Sequence, residues 1–234
     1  MSKANKANRN IAASPFIIWS ALFIVIPLLI VLFFGFTVTT PEGDYSFSLE
    51  NFTRLLQPQY IKVFGRSLWL ALLSTIWCLV LGYPVAYIIS KMKPSKGNIL
   101  IMLFIVPMWM NFLLRTYAWL PILGKNGFIN NILGYFGVGP FTFLYNDGAV
   151  ILGMIYNFLP FMVLPIYTVL TKMDKDLLNA AADLGANRSE IFRKIVLPLS
   201  MPGVVSGITM VFMPAVSTFV ISRLLGGGHY MLLG

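Results

Sequence analysis

Charged residues are scarce in this sequence of 234 residues, and acidic ones are the scarcest. Asp, Glu, Lys and Arg together make up 11% of the chain, whereas soluble proteins carry about 25%. Hydrophobic residues make up 58%, and the mean hydropathy is +0.80. This composition excludes an ordinary soluble domain and is typical of a chain that lies mostly in a membrane.

Cysteine and histidine occur once each, as Cys78 and His229. One cysteine excludes a disulfide framework, and one isolated histidine excludes a histidine metal site and a Ser–His–Asp triad. Because Cys78 lies in an apolar run, we expect it to pack against a helix or to face lipid. We expect His229 to be a surface residue.

A phosphate-binding loop of the form G-x-x-x-x-G-K-[ST] is also absent, so the chain itself is not expected to hydrolyse ATP. Asp174, Asp176 and Asp183 lie close together, but their spacing suits helix caps and a solvated face better than a Mg²⁺ site. We therefore predict no catalytic residue, no bound cofactor and no metal ion in this chain.

Long apolar runs are what the sequence has instead, and each is long enough to cross a bilayer as a helix. They predict an all-α polytopic membrane protein with five spans, at about 11–38, 67–90, 99–120, 148–170 and 201–222. The first run is longer than the apolar part of a signal peptide and lacks a small-x-small cleavage site after it, which favours an uncleaved span. The third run is unusual because it contains Pro107, Asn111 and Arg115.

The basic residues are distributed unevenly around these runs. Three lie in the polar tail 1–10, three in the turn 91–96 and five in 172–194, out of 17 in the chain. The positive-inside rule therefore places the N-terminus and the segment 174–198 in the cytoplasm. Segregation of this kind explains the net charge of +9 without a nucleic-acid partner.

The segment 174–198, which we call the hairpin, is polar but has the signals of two short helices. Asp174 suits an N-cap, and Gly185 suits the position just after a helix ends. Asn187 suits a second N-cap, and Glu190 three residues later completes a capping box. Pro198 is expected to end the second helix. A polar hairpin between two spans is suited to docking against another protein.

The hairpin resembles the EAA loop of ABC-importer permeases, whose pattern is E-A-A, three residues, G, nine residues, I-x-L-P. The matching residues are Asn179, Ala180, Ala181, Gly185, Ile195, Leu197 and Pro198. The resemblance implies that these residues, with Asp183, insert into a cleft on a cytoplasmic ATPase subunit and transmit its closure to the pore. Asn179 replaces the usual Glu, which removes any salt bridge that the Glu would make to that subunit.

A wider resemblance covers the chain from Asn51 to Gly234. SLWLALLSTIWCLVLGYPVAYIISK, IVPMWMNFLLRTYAWLPIL and LPLSMPGVVSGI are similar to the B-type permease subunits of spermidine/putrescine importers. This implies a type I ABC-importer permease fold in a bacterial plasma membrane. It also implies a C-type permease partner, two ATPase subunits that bind ATP and Mg, and an external binding protein. Such permeases usually have a sixth span, so we expect a last helix to be missing here.

A linear polycation would cross most easily between aromatic rings and carboxylates, since cation–π contacts and ion pairs offset its lost hydration. The candidate path residues are Asp147, Trp109, Tyr117, Trp119 and Tyr156. Aromatic residues at these depths are also common as interfacial belts, and that alternative stays open. Arg115 would repel a cation, so we expect it to gate the path or to pair near the outer end of the third span, with Asp147, with a carbonyl or with the binding protein.

Two other functions remain open at this point. One is a permease for another substrate, such as ferric ion, sulfate or an opine, because the hairpin pattern is common to these importers. The other is a structural or assembly membrane protein that transports nothing.

Overall fold

The computed structural model of the chain describes residues 14–39, 43–228 and 232. The chain divides into two units, residues 1–62 and residues 63–234. The predicted tail 1–10, Glu42 and His229 lie outside the described residues. The all-α prediction is confirmed, since the described residues contain only one short pair of strands besides helices.

The first unit contains the first predicted span. Helix α1 covers Ser14–Gly35 and includes a π-helical turn at Ala21–Val25. Strands β1 (Thr37–Thr39) and β2 (Tyr45–Phe47) then pair antiparallel, with Val38 opposite Ser46, and helix α2 covers Glu50–Leu55. The residues of α1 are apolar and exposed along its length, which is the pattern of a helix that faces lipid or another membrane chain.

Asn51 stabilises the end of α1 rather than the start of its own helix. Its Nδ2 donates to the carbonyl oxygens of Phe34 and Thr37, at 3.0 Å each. The carbonyl of Phe34 lies in the last turn of α1, where a helix has no further N–H groups to satisfy it, and that of Thr37 lies at the start of β1. The hydroxyl of Ser48 accepts from the N–H of Glu50, as expected of a residue near a helix start.

All regular secondary structure in the described part of the second unit is helical. Helix α3 begins in the first unit and covers Pro58–Ser90, and α4 covers Pro94–Ile105 and continues as a 3₁₀ turn at Val106–Trp109. Shorter helices follow as α5 (Phe112–Tyr117), α6 (Trp119–Leu123) and α7 (Phe128–Tyr135). Then come α8 (Asp147–Thr171), α9 (Lys175–Asp183), α10 (Arg188–Ser217) and α11 (Val220–Leu225).

The core of the second unit lies where α8 packs against α10. Gly203 and Gly207 lie four residues apart on α10 and face α8 at close range. A Cβ on Gly203 would lie 2.9 Å from the carbonyl oxygen of Pro165, and one on Gly207 would lie 2.8 Å from Sδ of Met162. Glycines at this spacing let two membrane helices approach until their backbones touch.

Four described helices are long and apolar enough to cross a membrane, namely α1, α3, α8 and α10. The predicted total of five is reached only if Pro94–Trp109 and Phe112–Tyr135 count together as one span, and these two segments are bent by 99°. The segment of the predicted third span, 99–120, is therefore not one straight helix. The break occurs because Met110 is extended and Asn111 starts a new helix, where its Oδ1 accepts from the N–H of Leu113 at 2.8 Å.

The expectation that Pro198 ends the second helix of the hairpin is also wrong. Residues Phe192–Val196 form a π-helical turn, in which the N–H of Leu197 donates to the carbonyl of Phe192, and α10 then continues to Ser217. A proline clashes with the carbonyl four residues earlier in a regular helix. The wider turn just before Pro198 relieves that clash, so hairpin and span form one helix of 30 residues.

We predict that Gly203→Ala lowers the free energy of unfolding by about 1–3 kcal/mol, because the added methyl group separates α10 from α8. Thermal unfolding of the detergent-purified protein measures this change. Gly65→Ala is the matched control, since it also lies in a helix and nothing lies within 4 Å of its added Cβ. Equal melting temperatures for the two variants would contradict close packing at Gly203.

Candidate functional site

The first helix of the hairpin is capped as the sequence predicts. Asp174 is the N-cap of α9, and its Oδ1 accepts from the N–H of Asp176 at 2.9 Å. Leu178 is half-buried, whereas Leu177 on the adjacent position is exposed. The helix is therefore fixed at its start and has one side turned away from the rest of the unit.

The corner of the hairpin depends on the backbone conformation of Gly185. Its φ of +84° lies in the left-handed region that favours glycine. The N–H of Gly185 donates to the carbonyl of Ala182 at 2.9 Å, and the N–H of Ala186 donates to that of Ala181 at 3.0 Å. This pair of bonds is a Schellman motif, which satisfies the last carbonyls of α9. Leu184, beside the corner, has 89% of its surface exposed.

The second helix of the hairpin begins with the predicted capping box. The N–H of Glu190 donates to Oδ1 of Asn187, and the N–H of Asn187 donates to Oε2 of Glu190, at 3.0 Å each. The bond from Asn187, followed by the bond from Lys194 and its charge, lowers the pKa of Glu190, which lies in the polar hairpin ahead of the apolar part of α10. The corner is thus held from both sides by local hydrogen bonds.

An aromatic cluster connects the hairpin to α3, and no feature singled out in the sequence points to it. The ring of Phe192, in the π-helical turn, lies 6.0 Å from the ring of Tyr83 and 5.3 Å from that of Tyr87, edge to face in both cases. The hydroxyls of Tyr83 and Ser200 lie 2.9 Å apart. We call Tyr83, Tyr87 and Phe192 the aromatic clamp. Its geometry joins the start of α10 to α3 through directed contacts.

The residues carried by the EAA resemblance lie mostly on the surface of this hairpin. Ala181 and Ile195 are half-buried, and the others are exposed, namely Asn179, Ala180, Asp183, Gly185, Leu197 and Pro198. Surface-exposed residues on a rigid corner are available to another protein. Their role in coupling stays a prediction.

The predicted path residues are only partly brought together. The rings of Trp119 and Tyr156 meet edge to face with centroids 5.4 Å apart. Trp109 is 77% exposed and Tyr117 is also exposed, and no ring contact joins either to that pair within the described residues. These two positions fit an interfacial belt as well as they fit a path.

Asp147 is bound to a residue that sequence reasoning did not name. Oδ1 of Asp147 lies 2.5 Å from Nη2 of Arg66, which belongs to α3, and both side chains are partly exposed. Asp147 is one of the partners expected for Arg115, but it pairs with Arg66 instead. The pair joins the start of α8 to α3 across 81 residues of sequence.

Arg115 is a buried charged residue on α5. It is 7% exposed, and its Nε has no hydrogen-bond partner among the described residues. Next to it in sequence, the buried Thr116 accepts a long hydrogen bond of 3.5 Å from Nδ2 of Asn157, which also donates to the carbonyl of Gly153 at 2.9 Å. Oδ1 of Asn157 is likewise buried without a partner among those residues.

Comparison with known proteins decides what kind of chain carries this hairpin. The family described as "Binding-protein-dependent transport system inner membrane component" matches residues 79–234, which include the whole hairpin. The chain belongs to this family. The predicted membership of the ABC-importer permeases is thereby confirmed.

The relatives of this permease extend the match to nearly the whole chain. The protein named spermidine/putrescine transport system permease protein PotB of Escherichia coli K12 is 40% identical over 221 residues, which is 92% of this chain and 80% of that protein. The protein of the same name in Haemophilus influenzae is also 40% identical, over 92% of this chain and 77% of its own length.

The permease fold is confirmed by a solved structure. The bacterial alginate ABC transporter, crystallised with an alginate pentasaccharide-bound periplasmic protein, contains a chain that superposes with a TM-score of 0.77. The match covers 98% of this chain and 82% of the alginate transporter chain, at 18% identity. At this identity the likeness concerns the fold and not the transported substrate.

We predict that Asp147→Asn lowers the free energy of unfolding by up to about 1 kcal/mol, as is usual for a partly exposed ion pair. In an Arg66→Gln background the same change has little further effect, because the partner charge is already gone. Thermal unfolding of the four forms of the purified assembly measures the coupling between the two residues. Strictly additive effects would show that the pair contributes nothing.

Proposed function

We propose that this chain is the membrane permease subunit of an ABC importer for polyamines such as spermidine and putrescine. The observation that carries the proposal is the 40% identity, over 92% of this chain, to permeases named for spermidine/putrescine transport. Aromatic rings at Trp119 and Tyr156 supply the chemistry that a polycation requires, and the carboxylate of Asp147 would contribute by exchanging its ion pair with Arg66 for one with the substrate. Trp109 and Tyr117 are further candidates for contacts with it.

The proposed importer needs several other subunits. A C-type permease completes the pore, two cytoplasmic ATPase subunits bind ATP and Mg, and an external binding protein delivers the polyamine. The family description, which names a binding-protein-dependent system, supports this assembly. This chain contributes no catalytic residue, since it lacks a phosphate-binding loop for ATP.

The proposed location is a bacterial plasma membrane, with the N-terminus and the hairpin in the cytoplasm. The concentration of basic residues at 91–96 and 172–194 supports this orientation. An ATPase partner must also lie on the cytoplasmic side, where ATP is available. The two arguments are independent and agree.

The hairpin is the element that receives the motion of the ATPase in this proposal. Its corner is held by the bonds at Gly185 and by the capping box, so a push on Leu184 moves it as one body. Because α10 is continuous from the hairpin to Ser217, that movement reaches the span without an intervening loop. The aromatic clamp passes part of it to α3.

The transport cycle then follows from two states of the pore. ATP binding closes the partner ATPase dimer and moves the docked hairpin, which tilts α10 and opens the pore outward. Hydrolysis resets the pore inward. A ligand that binds one subunit thus biases a two-state element in another.

We predict ATP-dependent uptake of labelled spermidine into vesicles that contain this chain with its neighbouring permease, ATPase and binding protein. Vesicles without the binding protein are the control and should take up none. If ATPase subunits bind the permease but spermidine is not transported, the permease function stands and the polyamine substrate is wrong.

We further predict that Gly185→Val uncouples transport from ATP hydrolysis, with uptake reduced more than tenfold. A branched side chain at this positive φ costs at least about 1–2 kcal/mol and displaces the corner. Gly185→Asn is the matched control, because Asn tolerates the left-handed region, and it should keep most of the activity. Unchanged substrate-stimulated ATPase and uptake in Gly185→Val would contradict the role of the hairpin.

A further inference from the structure

A cavity of about 570 Å³ opens where several helices of the second unit begin or end. Its walls come from the last turn of α3, the first turns of α4, the last turns of α8 and the start of α9. Ligand sites in proteins have volumes of this order, between about 300 and 1,000 Å³. Neither the sequence patterns nor the comparisons assign a ligand to this cavity.

The cavity is positively charged. Lys91 and Lys175 both line it, and no Asp or Glu is found among its lining residues in the described part of the chain. Two carboxylates flank Lys175 in sequence, Asp174 and Asp176, but neither lines the cavity, and Asp174 caps α9. Nζ of Lys91 lies 5.3 Å from the centre of the Tyr87 ring, so the aromatic face holds this ammonium group at the cavity wall.

The remaining polar groups of the wall can donate or accept hydrogen bonds. The hydroxyl of Tyr167 lies 3.5 Å from Oδ1 of Asn98, a long contact that leaves the hydroxyl free to engage a stronger acceptor. Gly97 lets α4 approach α8 closely at this point, since a Cβ on it would lie 3.3 Å from the hydroxyl of Tyr167. Asn179, on the hairpin, completes the polar rim.

The rest of the wall is apolar. Met92, Pro94, Leu170 and Val196 line it together with the polar groups. A wall with ammonium groups and hydroxyls beside aliphatic side chains suits a ligand that is anionic at one end and apolar at the other. A small hydrophilic anion would leave the aliphatic part without a partner.

The geometry points to a binding site for the headgroup of an anionic phospholipid, with the phosphate between Lys91 and Lys175. The site lies at the ends of two helices that could span a membrane, α3 and α8, which is the depth of the headgroups. Basic pockets between membrane helices on the cytoplasmic side bind such headgroups. The inference does not depend on polyamine as the transported substrate. It needs only this end of the helices to lie at the bilayer surface.

A bound lipid at this site would contact the coupling machinery directly. The same cavity is lined by Asn179 of the hairpin and by Tyr87 of the aromatic clamp. A phosphate that holds Lys91, the residue just after α3, and Lys175, the first residue of α9, therefore links the hairpin to the span against which α10 packs through that clamp. We expect anionic lipid to raise the transport rate per ATP hydrolysed.

Native mass spectrometry of the purified complete assembly tests the site, with dioleoyl-phosphatidylglycerol and dioleoyl-phosphatidylcholine as probes. The wild type should retain phosphatidylglycerol in preference to phosphatidylcholine. The variant Lys91→Gln/Lys175→Gln should bind phosphatidylglycerol about 25-fold more weakly, since each lysine near an anionic surface contributes about fivefold. The control Lys93→Gln/Lys172→Gln removes the same charge from exposed neighbours that do not line the cavity, and it should bind as the wild type does.

Three results would overturn the inference. An equal loss of phosphatidylglycerol binding in both double variants would show that only the general surface charge matters. Binding of inorganic phosphate that displaces phosphatidylglycerol at equal concentration would show a free-anion site. Full phosphatidylglycerol binding by Lys91→Gln/Lys175→Gln, with weaker retention of the ATPase subunit, would show that the lysines bind an acidic segment of that protein. Thermal unfolding of each variant separates these results from misfolding, and lipid binding is read without any transport assay.

Discussion

The approach of α10 to α8 through Gly203 and Gly207 is the constraint on which the second unit depends. Without side chains at these two positions, the backbones pack directly, and Met162 and Ile166 fill the space beside them. Apolar side chains gain little from leaving lipid, so close packing rather than hydrophobicity holds the two helices together. The position of the hairpin follows, because its second helix is the first part of α10.

Because α10 is continuous, a movement of the hairpin is transmitted directly to the membrane span. A regular helix would be disrupted by Pro198, and a flexible joint there would absorb the movement of a partner. The π-helical turn at Phe192–Val196 accommodates the proline and places Phe192 against Tyr83 and Tyr87. A single feature of the backbone thus preserves the rigid connection and creates the lateral contact to α3. Turns of this kind are frequent at functional sites in helices.

The features that could be predicted from the sequence are local ones. Each hydrogen bond in these features joins residues no more than five positions apart. They are the caps at Asp174, Asn187 and Glu190 and the corner at Gly185, and all of them form as expected. The effects of Asn111 and Pro198 were harder to predict, since the same residues can break a helix or be accommodated by a change in its turn. The partner of Asp147 could not be predicted, because Arg66 is brought to it only by the packing of α3 against α8.

Photo-crosslinking from position 184 tests whether the exposed corner of the hairpin contacts an ATPase subunit. A photoreactive amino acid replaces Leu184 in the assembled importer, and a second variant carries it at Tyr135, which is equally exposed on α7. We expect a crosslink to the ATPase from position 184 that changes in yield when ATP binds, and none from position 135. No crosslink from position 184 in an assembly that retains the ATPase would contradict it.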